Sequence, residues 1–128
     1  MRRYLIIPIV LLAAGCGGSS GGSSGGGGGS TPANVQVVEI DIAQSGFAFV
    51  KSTATAKAGT VELRAKNPQS ISHDISLKGN GVDAQGNMVS SGGVSTVTVK
   101  NLKPGTYEFY CSVPGHEQAG MKGTLTVS

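Results

Sequence analysis

The chain has 128 residues, 10 Lys and Arg against 7 Asp and Glu, a formal net charge of +3, no Trp, 2 His and 2 Cys. Its basic residues form no cluster with interleaved aromatics, which argues against nucleic acid as a partner. With only two histidines and no Ser-His-Asp arrangement, it also lacks the groups for common hydrolytic chemistry.

The first element is MRRYLIIPIVLLAAGC. Two arginines precede an apolar run over residues 4–14, interrupted by Pro8 and too short to cross a bilayer, so residues 1–15 read as an export signal. LLAAGC resembles the lipobox of bacterial lipoproteins, with Ala13 where Leu is usual, and the resemblance implies that Cys16 is lipidated and holds the protein to a membrane. Loss of Arg2 and Arg3 leaves eight basic against seven acidic residues, a mature charge of about +1. Residues 17–30 are all Gly or Ser and can bury no apolar area. Residues 16–34 therefore read as a flexible tether with a root-mean-square reach of roughly 20–25 Å.

Residues 35–128 read as one all-β domain. VQVVEIDI alternates with Val38, Ile40 and Ile42 on one side and Glu39 and Asp41 on the other. TVELRAKN repeats the pattern with Val61, Leu63 and Ala65, STVTVKNL with Val97 and Val99, TYEFYC with Tyr107, Phe109 and Cys111, and GTLTV with Leu125 and Val127. FAFV and HDISL are shorter candidate strands, and Gly and Pro punctuate the chain at 58–59, 79–86 and 103–105. Period two throughout predicts a Greek-key β-sandwich of about eight strands.

The chemistry sits in CSVPGHEQAGM. Alternation makes Cys111 leave its strand facing inward; residues 113–115 turn the chain, His116 follows, and Met121 opens the last strand. One loop thus offers a thiolate, an imidazole and a thioether, and the remaining histidine, His73, stands at the head of another strand. Two His and one Cys with a weak axial Met is the ligand set of blue copper electron-transfer sites. Each residue alone has a plainer reading as packing or surface, and Met88 is assigned to packing; the set of four at these spacings in an exported β-rich chain is what carries weight. Export also bears on Cys111: with Cys16 committed to lipid, it is a lone thiol in an oxidising compartment, where occupation by a metal would protect it.

Through Asn67-x5-His73, LKPGTYEFYC, Cys111-x4-His116-x4-Met121 and the closing GMKGTLTV, residues 35–128 resemble the cupredoxins, the family of plastocyanin, azurin and auracyanin, with spacing most like auracyanin. The resemblance implies one mononuclear type 1 copper held by His73, Cys111, His116 and Met121. It also implies that Asn67, Asp74 and Ser112 back those ligands. Asp74 stands where the family commonly has an Asn that ties the ligand loops together, so a different hydrogen-bond pattern is expected there. Further implied are an apolar docking surface of Ile71, Val113, Pro114 and Gly115 around His116, and single-electron exchange with redox proteins such as a cytochrome, an oxidase or a photosynthetic or respiratory complex. The expected protein is a monomeric, non-enzymatic electron carrier, periplasmic or at the cell surface. Two other readings stand beside it: an exported copper carrier, which would use a more open site, and a metal-free adhesion module, which leaves Cys111 unexplained.

Overall fold

The structure, a computed structural model, describes residues 34–128, and every regular element among them is a β-strand. In chain order these are β1 (Val35–Glu39), β2 (Thr53–Ala56), β3 (Gly59–Lys66), β4 (Ser76–Gly79), β5 (Val82–Ala84), β6 (Val94–Leu102), β7 (Gly105–Tyr110) and β8 (Lys122–Val127). They form two sheets ordered β1-β3-β6 and β2-β8-β7-β4-β5. Crossovers between the sheets pair β1 with β3 and β2 with β8 in parallel, while the other pairs are antiparallel. The expected export signal (residues 1–15), Cys16 and the expected tether up to residue 33 lie outside the described residues. Among the described residues no helix is long and apolar enough to cross a membrane.

The alternation seen in the sequence sets the inward faces. Val61, Leu63, Ala65, Val97, Tyr107, Phe109, Cys111, Leu125 and Val127 are all buried, as are Ile40 and Ile42. Burying each large side chain of this set contributes on the order of 1.5–3 kcal/mol. Phe49 meets Phe109 edge-on with ring centroids 5.4 Å apart, an arrangement aromatic quadrupoles favour. The Tyr107 hydroxyl donates to the Lys103 carbonyl at 2.7 Å, closing the turn into β7.

Three segments differ from their sequence patterns. The strand expected over VQVVEIDI ends at Glu39: Ile40 and Ile42 still donate to Arg64 and Lys66 of β3, but the chain then folds back, with Ala43 N–H bonded to Ala48 and Ile42 bridging Phe49. FAFV is thus the return arm of this hairpin, with Phe49 buried and Phe47 42% exposed. HDISL enters its strand late, at Ser76, because His73 forms an isolated bridge to Val89 instead. Two strands had no alternation of large apolar residues to announce them: β2 is TATA, and β5 lies within the Gly-punctuated stretch 79–86. Met88, read as packing, is 56% exposed.

Gly123 lets β8 lie flat beside the centre of the core. A Cβ there would come within 2.1 Å of Phe109 Cζ and 2.6 Å of the Ser52 carbonyl oxygen, a clash with a ring that is itself fully buried. Gly123→Ala is therefore expected to destabilise the domain by about 1–3 kcal/mol, as overpacking does. Urea denaturation checks this: the midpoint should fall with the slope unchanged.

Candidate metal centre

Two segments build the site. The first is the turn after β3. Asn67, fully buried, donates its side-chain amide to the carbonyls of Ile71 and Val89 at 2.8 and 2.7 Å and accepts from Gln69 N–H at 2.9 Å. These bonds fix the path of residues 67–71. The His73–Val89 bridge, with both backbone bonds at 2.9–3.0 Å, then delivers His73 to the interior at 0% exposure.

The second segment is the loop between β7 and β8. It winds through successive turns: His116 N–H to Val113, Ala119 N–H to Gly115 and Gly120 N–H to Glu117. Gly115 and Gly120 take φ of 86° and 110°, values that glycine adopts without strain. Its ends are closed on each other, because Cys111 N–H donates to the Met121 carbonyl at 3.1 Å and Met121 N–H to the His116 carbonyl at 3.0 Å. Cys111 and Met121 are buried, while His116 is half-buried.

His73, Cys111 and His116 converge. The two Nδ1 atoms are 3.1 Å apart, and they lie 3.8 Å (His73) and 3.6 Å (His116) from Cys111 Sγ. Atoms bonded to one ion, with metal bonds of about 2.3 Å to thiolate and about 2.0–2.1 Å to imidazole nitrogen, span a triangle of this size. The donor types suit copper: the soft thiolate favours Cu(I), and imidazole serves both oxidation states. Burial, then the neighbouring His116, hold His73 below the usual imidazole pKa, against an opposing pull from Asp74. Burial pushes the Cys111 thiol up, partly offset by backbone N–H groups of Asp74 and Val113.

Asp74 joins the two segments. Its carboxylate is 2% exposed and accepts from Ser112 N–H at 2.7 Å and from the Ser112 hydroxyl, with the Ser76 hydroxyl at 3.4 Å. An Asp here thus makes a direct tie between the ligand loops. Of the apolar surface expected around His116, Ile71 is 52% exposed and Pro114 and Gly115 are open, but Val113 is half-buried and packs against the core.

Three contributors were not read from the sequence. The ring of Phe47 lies against that of His116, centroids 4.5 Å apart and tilted by 37°. Gln69 Oε1 lies 3.1 Å from His73 Nε2. Lys78 pairs with Glu117, so the one acidic side chain of the metal-site loop carries its own counter-ion. The spacing Gln69-x3-His73 was the only local signal for any of them. If Asp74 couples the segments, Asp74→Ala should lower the stability of the metal-free domain by about 1–3 kcal/mol through the orphaned Ser112 donors. Asp74→Asn keeps an acceptor and should lower it by less. Thermal denaturation of the two variants without metal makes the comparison.

Residues 36–128 match the family described as "Copper binding proteins, plastocyanin/azurin family". Auracyanin-B of Chloroflexus aurantiacus is 32% identical over 77% of this chain; the match spans 54% of that protein's own length. Among solved structures, auracyanin B superposes with a TM-score of 0.63 at 30% identity, covering 79% of this chain and 93% of the other. Dithionite-reduced auracyanin from Roseiflexus castenholzii gives 0.62 at 26% identity, covering 78% and 99%. An eight-stranded two-sheet sandwich closing two imidazoles and a thiol on one point, matched over nearly the whole described region, means that this chain belongs to the plastocyanin/azurin family of copper-binding proteins and is a cupredoxin with copper as its cofactor.

Proposed function

We propose that the protein is a single-electron carrier in which His73, Cys111, His116 and Met121 would hold one type 1 copper, and that it is held at a membrane outside the cytoplasm through lipidated Cys16. The observation that carries this reading is the triangle of Nδ1, Nδ1 and Sγ atoms, two of its three residues 0–1% exposed. Copper, when bound, supplies one reversible Cu(II)/Cu(I) couple. The protein's part would be to hold the donors in one fixed arrangement between those the two oxidation states prefer, so that little would have to move with the electron. Burial of His73, Cys111 and Met121 favours retention of the metal over delivery, which sets this reading above a copper carrier.

His116 is the donor ring open to solvent, so a redox partner meets the site there, on Ile71, Pro114 and Gly115 with the exposed part of Phe47. With Glu117 paired to Lys78 and a mature charge of about +1, docking rests on desolvating this patch more than on electrostatic steering. The exported location and the anchor rest on the signal-like residues 1–15 and the lipobox-like LLAAGC.

Three measurements test the parts separately. The oxidised copper protein should absorb intensely at about 600 nm from thiolate charge transfer. Cys111→Ser should remove the band while keeping a folded β domain by circular dichroism; a variant that stays blue contradicts the assignment. Electron-transfer rates with a native partner should fall only weakly between low and physiological salt, and Ile71→Lys should slow them with the copper spectrum unchanged. Mass spectrometry of the mature N-terminus should find an acylated peptide beginning at Cys16, and a bare peptide removes the anchor.

A further inference from the structure

The two imidazoles at the site are gripped from outside by a single segment that supplies no donor, the hairpin turn 43–48. Its connection to His73 runs through Gln69. The Gln69 side-chain Nε2 lies 2.8 Å from the Ala43 carbonyl oxygen and 2.9 Å from that of Gly46. Both are pure acceptors, so the amide NH2 must face them and Oε1 must face His73, whose Nε2 it meets at 3.1 Å. An amide oxygen only accepts. His73 therefore carries its proton on Nε2, and the Nδ1 lone pair is left pointing at Cys111 and His116.

Gln69 is itself pinned at both backbone groups: its N–H donates to Asn67 Oδ1 at 2.9 Å, and its carbonyl accepts from Ser91 N–H at 2.7 Å. The turn it holds is closed by Ala43 N–H to the Ala48 carbonyl at 3.0 Å, and presents Phe47 between these ends. The Phe47 ring rests on His116 at 4.5 Å and approaches His73 edge-on at 6.3 Å.

From this we infer that Gln69 is a positioning residue which sets the tautomer of His73 and, by holding the 43–48 turn, keeps Phe47 packed on His116. One non-ligand side chain thereby orients both rings. The inference rests on the reading of His73 and His116 as copper ligands, but its first consequence does not need the metal. An acceptor on Nε2–H also makes an imidazole a stronger donor through its other nitrogen, which favours Cu(II) over Cu(I). Gln69 thus lowers the reduction potential.

The test uses the full chain and two variants of Gln69, with Phe47→Leu and His73→Ala as controls. Gln69→Leu removes the acceptor and the grip on the turn; Gln69→Glu keeps an acceptor for His73 but loses the N–H donors to Ala43 and Gly46. In the metal-free protein at a pH of about 8, where imidazole is neutral, long-range proton–nitrogen spectra should show wild-type His73 as the Nε2–H tautomer. In Gln69→Leu the exchange of that proton with water should be about tenfold faster, the factor for one ordinary hydrogen bond, whereas Gln69→Glu should keep it slow. Both variants should shift the His116 ring resonances, because Phe47 is released, and Phe47→Leu should shift them too while leaving the His73 tautomer and its slow exchange unchanged. In the copper-loaded protein, Gln69→Leu should raise the reduction potential and Gln69→Glu should lower it. If Gln69→Leu only lowers the melting temperature, leaving the tautomer, the exchange rate and the potential at wild-type values, the positioning role is wrong. Failure of the ligand reading would show differently, as a blue His73→Ala variant.

Discussion

The site depends on one short link, the hydrogen bonding of the Asp74 carboxylate to Ser112. Three of the four candidate donors lie on a single loop and need only that loop's own turns to meet. The fourth, His73, comes from a segment 38 residues earlier in the chain than Cys111. Asp74 and Ser112 are the immediate neighbours of His73 and Cys111, so the bonds between them set the distance between imidazole and thiol almost directly. The cost of burying a carboxylate is met by donors on Ser112 and by Ser76, and no cation is needed at the contact. An acidic side chain this close to the thiol also works against thiolate formation, and backbone N–H groups oppose it.

Around that link the fold works as a frame. The β7–β8 pairing runs in register from Gly105 opposite Val127 to Tyr110 opposite Lys122, and Cys111 and Met121 continue it by one more bond. The metal-site loop is therefore a long hairpin connection whose two ends are already held at strand spacing. Lys78, reaching from β4, pairs with Glu117 and lies 4.4 Å from the Tyr110 ring centroid, which fastens the outside of the loop to the sheet. Asn67 and the His73–Val89 bridge do the same for the other segment. Donors held by so many independent bonds have little freedom to follow the preferences of either oxidation state, and that is what an electron-transfer site requires.

Much of this was legible in the sequence, for identifiable reasons. Strict alternation with large apolar residues marks β3, β6, β7 and β8, and the same alternation gives Cys111 its inward direction. The candidate donors stood out because Cys, His and Met are scarce in this chain and thiolate, imidazole and thioether are a chemically selective set. What escaped reading were residues of common type whose partners are distant in sequence. TATA is a strand because β8 lies beside it, and only its two alanines face inward. Gln69 and Phe47 matter through contacts 23 to 26 residues away for the glutamine, and with a ring on another loop for the phenylalanine. Glu117 looks like a free loop charge until Lys78 is seen beside it.

If the fold works as this frame, copper keeps one ligand set in both oxidation states. X-ray absorption of the copper-loaded chain, oxidised and then reduced, reads this out. One short sulfur and two nitrogen neighbours are expected in each state, with bond lengths that change only slightly on reduction. A Cu(II) shell of nitrogen and oxygen alone, or loss of a nitrogen neighbour on reduction, would contradict it.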